Sequence, residues 1–82
     1  MIDTNTTLEE LLDAAIDSLN DVDRGETFVV RDLFRGFEWV RISRSDRTKL
    51  GGMFYRYIKE HGELNVEPAG KTLQHQQKYI KN

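Results

Sequence analysis

The stretch that leaves this chain least choice of fold runs from Ser43 to His61, with Gly62 behind it. Ser43 followed three residues later by Asp46 is a capping-box variant. The hydroxyl accepts an orphan backbone N–H while the carboxylate reaches back, so a helix is expected to begin here. Gly62 suits the left-handed position just past a helix end. At 100° per residue, Leu50, Met53, Phe54, Tyr57 and Ile58 share one narrow stripe, the face that has to be buried. The other side is left to Arg44, Thr48, Gly52, Tyr55, Arg56 and Lys59, a cationic and hydroxylated surface that is nearly bare at Gly51-Gly52. Adjacent glycines inside a helix cost about 1 kcal/mol each against alanine. Three readings stay open: a second helix packed on them, a break in this one, or a polyanion laid along the backbone.

Charge placement bears on that choice. The net charge is only −2, yet residues 1–40 hold ten carboxylates against three arginines, and residues 41–82 hold nine Lys/Arg against four carboxylates. Such asymmetry fits polyanion binding by the basic half, because the potential near a binding face matters more than the total. It also fits two halves that attract each other, or two copies that pair acidic face to basic face as a homodimer. Eighty-two residues make one domain with a single small core. The absence of cysteine excludes a disulfide framework or a thiolate metal site and points to a cytoplasmic protein. No apolar run approaches the ~20 residues of a membrane span, and the first residues lack a signal-peptide pattern, so neither export nor a membrane is expected.

Along the chain, residues 1–7 read as a flexible N-terminus. Thr7 with Glu10 is a capping box, and Leu8, Leu11, Leu12, Ala15, Ile16 and Leu19 recur at helical spacing, which predicts a first helix from Leu8 to about Asn20. Its other face is acidic: Glu9, Glu10, Asp13 and Asp17. Residues 20–25 form a turn cluster, and residues 26–30 read as a short strand. Residues 31–35 have room for one or two helical turns before Gly36 stops them. Leu33, Phe34, Phe37 and Trp39 then crowd together as a plug between the first and third helices, with Trp39 open to the alternative role of a base-stacking platform. After Gly62, residues 63–67 alternate as a half-buried strand, Pro68-Ala69-Gly70 turns the chain, residues 70–75 form a tip, and residues 77–81 return as a second strand. The reading is α+β: a winged-helix-like domain over residues 8–82, with helix, short strand, short helix, basic helix and C-terminal β-hairpin wing.

Gly25-Glu26-Thr27-Phe28, Asp32 to Trp39, Ile42 to Arg47, Leu50 to Phe54, Gly70-Lys71-Thr72 and Gln76 to Tyr79 together resemble the small bacterial and mobile-element proteins of a domain-of-unknown-function family. The resemblance covers nearly the whole chain from Leu8. Members are frequently labelled single-stranded DNA-binding, and some accompany the replication enzymes of mobile elements. The resemblance therefore implies single-stranded DNA as partner, in replication of a mobile element or phage. Three positions depart from the expected family pattern: Ser45 in place of glycine, Gly52 in place of a hydroxyl residue, and a bulkier Leu73-Gln74-His75 tip in place of a Ser/Gly-rich one.

Catalysis has little to stand on. His61 and His75 are the only histidines, and His61 reads as a favourable charge at a helix end. No triad spacing, phosphate loop or metal-ligand cluster is present, so no enzyme, no cofactor and no metal are expected. Nucleic-acid binding has a physical form instead. Arg41, Arg44, Arg47, Lys49, Arg56 and Lys59 would meet phosphates, Lys71, Gln74 and Lys78 would add contacts from the hairpin, and Tyr55 would stack on an unpaired base. Arg47 lies nearer the apolar stripe, and pairing with a carboxylate such as Glu38 is the other role open to it. Two alternatives remain. One is an adaptor that docks on a replication enzyme (polymerase, primase or helicase) through its acidic first helix or the Phe34–Trp39 segment. The other is a dimeric winged-helix regulator of duplex DNA.

Overall fold

A computed structural model describes residues 2–82. Helix α1 runs Leu8–Ser18 and is prolonged by a 3-10 turn, Leu19–Asp21. Its start is the expected box: the Thr7 hydroxyl accepts the Glu10 N–H (3.2 Å), and the Glu10 carboxylate accepts the Thr7 N–H (3.0 Å). The Thr7 N–H, and after it the Thr7 hydroxyl donating to the same oxygen (3.0 Å), hold the Glu10 carboxyl below the usual carboxylate range. Strand β1 (Thr27–Val29) leads into a 3-10 turn (Val30–Leu33), a short helix α2 (Gly36–Val40), the long helix α3 (Arg44–Glu60), a further 3-10 turn (Gly62–Leu64), and strands β2 (Val66–Lys71) and β3 (Gln77–Lys81). The sheet is antiparallel in the order β1-β3-β2, with Phe28 opposite Tyr79 on one side of β3 and Pro68 opposite Tyr79 on the other. Helix, strand, helix, helix and hairpin, with the first strand added to the hairpin, form a winged-helix-like α+β domain.

The core gathers the apolar stripes of both long helices against the sheet. Leu11, Ala15 and Leu19 come from the first helix and its turn, Leu50, Phe54 and Ile58 from α3, and Phe28, Val66 and Tyr79 from the strands. Phe28 stacks on Tyr79 with ring centres 5.7 Å apart, and Phe54 meets Tyr79 edge-on at 5.0 Å. Offset and edge-on pairs of this kind add to the area term.

Several expectations are corrected. Gly36 does not stop a helix; it opens α2. The reason is a pair of acid caps: Asp32 accepts the Val29 N–H (3.0 Å) and Glu38 accepts the Arg35 N–H (3.0 Å), so each carboxylate starts a turn of its own. Phe34, extended between them (φ −125°, ψ 153°), is buried, whereas Phe37 stays exposed on α2 and does not enter the core. At α3 the Ser43 hydroxyl accepts the Asp46 N–H (3.2 Å), which is the forward half of the expected box. Gly62 is not left-handed. The chain takes that conformation at Asn65 (φ 58°), after one more turn. The first strand of the hairpin is therefore Val66–Lys71 rather than residues 63–67, and Pro68 lies inside it. Proline is tolerated there because β2 is an edge strand and pairs only with β3. The bend expected at Pro68-Ala69-Gly70 appears as a bulge between Pro68 and Lys71, with Gly70 at φ 85°. Before α1, Ile2 is buried in the core, and Arg41 Nη1 donates to the Ile2 carbonyl (2.9 Å).

Candidate nucleic-acid interface

Helix α3 and the hairpin enclose a groove of about 670 Å³. One wall is the α3 face carrying Arg44, Thr48, Gly51, Gly52 and Tyr55; the other is Lys71, His75, Gln76 and Gln77 of the wing. Arg31, from the turn after β1, and Arg47 also line it, with Val29, Val30, Trp39 and Tyr79 as apolar floor. Four guanidinium or ammonium groups thus reach one cleft from three parts of the chain, and none of the lining residues is a carboxylate. Among the described residues, a second cleft of about 620 Å³ has the opposite character, with Asp17, Asp21, Asp32 and Glu38 against Arg35 alone. The two share no residue. The sequence-level division of charge is thereby resolved into two separate surfaces.

The glycine pair lies open in the groove. A methyl group added at Gly51 or Gly52 meets no atom within 4 Å, and α3 runs unbroken through both. Neither a packed helix nor a helix break accounts for them. They leave a strip of backbone that a ligand is able to approach closely.

Arg47 does not pair with Glu38, whose carboxylate is engaged at the Arg35 N–H. Its Nη2 donates to the Trp39 carbonyl (2.9 Å), its guanidinium carbon lies 5.1 Å from the centre of the Trp39 ring, and its buried Nε has no partner. Trp39 is half-buried, tilted against Phe34 at 5.7 Å and covered by that guanidinium. It is therefore part of the groove's floor rather than a free stacking platform. Tyr55 is 38% exposed, with Lys59 Nζ 5.8 Å from its ring centre. On the wing, Gln77 Nε2 donates to the Gly70 and Lys78 carbonyls (2.9 and 3.0 Å), which braces the bulge.

Of the residues expected to contact nucleic acid, Arg44, Tyr55 and Lys71 line the groove. Lys49, Arg56, Lys59 and Gln74 are exposed outside its lining, and Lys78 is half-buried in β3 opposite Val29. Arg41 is occupied elsewhere, holding the Ile2 carbonyl and lying 5.0 Å from the centre of the Phe37 ring. Arg47, read from the sequence both as a phosphate contact and as a carboxylate partner, lines the groove too, whereas sequence reasoning missed Arg31, His75, Gln76 and Gln77. Arg31 sits in the acidic half, and only the pairing of β1 with β3 carries it to the wing. His61 follows the last residue of α3, with its Nδ1–H donating to the Tyr57 carbonyl (2.9 Å) and its ring stacked on Tyr57 at 3.9 Å. Among the described residues no cluster of His, Cys, Asp or Glu has the arrangement to hold a metal ion, and no helix is long and apolar enough to cross a membrane.

Tyr79, 1% exposed at the floor of the groove, has its phenol pushed up to about 12 by burial and secondarily by the neighbouring charge of Tyr55. The folded state keeps this proton above pH 10, where the unfolded chain has lost it. The stabilising contribution is complete below pH 10 and disappears as pH rises through 12. Chemical denaturation at pH 9 to 12 is expected to show a steeper loss of stability for the native chain than for Tyr79→Phe; parallel curves would contradict this.

Neither the curated proteins nor the solved structures compared with this chain gave a match. The sequence profile of a family described as Domain of unknown function (DUF1413) does match, over residues 13–81. That span runs from the acidic face of α1 through the groove and the whole hairpin, and the chain belongs to this family.

Proposed function

We propose that the protein is a non-catalytic nucleic-acid-binding domain and that its groove between α3 and the wing takes single-stranded DNA. The observation that carries this reading is the convergence of Arg31, Arg44, Arg47 and Lys71 on one cleft with no carboxylate in its lining. A polyanion laid there releases condensed counterions at each neutralised phosphate, a gain that needs no sequence match. Single strand is favoured over duplex because these cations line the inside of a cleft. A helix that reads a major groove has to project its outward face instead. An unpaired strand fits between helix and hairpin, with backbone against Gly51-Gly52 and a base on Tyr55, where stacking contributes ~1–3 kcal/mol.

Fluorescence anisotropy with labelled single-stranded and duplex DNA of one sequence, titrated across salt, tests the reading. Gly51→Ala/Gly52→Ala sharpens it. Each alanine meets open space and gains roughly 0.8–1 kcal/mol of helix propensity, so the variant is expected to unfold at higher temperature while binding single strand more weakly. A variant that is stabilised and binds as the native chain does would sink the groove assignment.

An adaptor role has one observation in its favour: Phe37 and Val40 on α2 are 44% and 72% exposed. Phe37→Ala/Val40→Ala is expected to leave DNA affinity unchanged, which separates that surface from the groove.

A further inference from the structure

Leu73 stands at the apex of the wing with 95% of its surface exposed, the most exposed of the large apolar side chains among the described residues. A single exposed leucine on a floppy loop would need no explanation. This one is presented on a pinned scaffold. Thr72 N–H donates to the Gln76 carbonyl and His75 N–H to the Thr72 carbonyl, each at 2.9 Å. The Thr72 hydroxyl accepts two further backbone N–H groups, from Gln74 (3.2 Å) and Gln76 (3.1 Å). His75 closes the three-residue loop in the left-handed region (φ 64°), a conformation that costs a non-glycine residue about 1–2 kcal/mol. Lys71, His75 and Gln76, which bracket Leu73 in sequence, all line the cationic groove. The wing thus ends in an apolar point held rigidly at the margin of a surface built for phosphates.

Rigid apolar side chains beside phosphate contacts are the means by which proteins part stacked bases. We infer that Leu73 is a wedge that enters between bases where duplex opens into single strand, so that the ligand of this domain is the single strand adjoining a duplex end. The inference rests on the groove reading above and names the kind of DNA the groove takes. Thr72 and the β2–β3 pairing supply the rigidity, since ordering the loop has been completed before the ligand arrives. Lys71 holds the backbone beside the parted step, and the strand released there continues along α3.

The experiment uses the full chain and two labelled oligonucleotides, a plain single strand and the same strand continued into a short hairpin duplex, with 2-aminopurine at the first paired position. The native chain is expected to bind the junction about tenfold more tightly than the plain strand, the scale of burying one leucine side chain. It should also raise 2-aminopurine fluorescence as that base unstacks. Leu73→Ser should keep the plain-strand affinity and lose both the junction preference and the fluorescence rise, while Leu73→Met restores both. Leu73 contacts too little of the protein for these changes to alter folding, and thermal unfolding checks that they do not. Equal native affinity for the two DNAs, or a preference that survives Leu73→Ser, overturns the wedge and leaves the groove standing. Failure of the native chain to bind either DNA at low salt overturns the groove, and the wedge with it.

Discussion

Phe54→Ala is expected to remove about 3–5 kcal/mol of stability, the range for deleting a buried aromatic side chain whose site does not collapse. Phe54 is 0% exposed and meets Phe28 and Tyr79 edge-on, with ring centres 6.5 and 5.0 Å away. It therefore joins α3 to both β1 and β3. A domain of this length has a total stability on the order of 4–12 kcal/mol, so the loss consumes a large share of it. Urea unfolding followed by circular dichroism and by the fluorescence of Trp39 checks the value. Val40→Ala, at a side chain 72% exposed, should stay within about 0.5 kcal/mol of native. A loss of under about 1.5 kcal/mol for Phe54→Ala would show that sheet and helix do not depend on this ring for their docking.

Arg31→Ala/Arg44→Ala/Lys71→Ala is expected to weaken single-strand binding about 100-fold near 0.1 M salt. Each phosphate contact to a single strand contributes roughly 0.7 to the salt exponent, so the slope of log affinity against log salt should fall by about 2. The matched control is Lys49→Ala/Arg56→Ala, which removes two exposed cations of α3 that lie outside the groove lining. Its effect should be several-fold smaller. If the control costs as much as the triple variant, the outward face of α3 is the interface and duplex becomes the better ligand. Arg41→Ala provides a third comparison: it releases the Ile2 carbonyl and is expected to lower stability without changing the salt slope.

The two glycines show how far inference from sequence reaches. Their cost in a helix was legible, and so was the face they occupy. Whether they met a neighbouring helix depended on where the rest of the chain went, and an added methyl group meets nothing there. Arg44, Tyr55 and Lys71 were legible as candidate groove residues because they lie on the one helix face and the one hairpin that local pattern defines. Arg31 was not, since it stands among acidic residues and reaches the groove only through the β1–β3 pairing. Arg41 looked equivalent to its neighbours by charge, and is taken up instead by a carbonyl 39 residues away.

What the sequence by itself determined is therefore what short-range physics dictates. The Thr7–Glu10 box starts α1, Ser43 caps α3, and residues three and four apart set the stripes that bury Leu11, Ala15, Leu50, Phe54 and Ile58. Tertiary structure decided the matters in which local preferences were nearly balanced or irrelevant. Pro68 enters a strand because that strand has a free edge, and Arg31 reaches the groove because β1 pairs with β3. The groove exists because antiparallel pairing sets the wing beside the bare face of α3, and pairing of that range depends on the whole core, which no local segment encodes.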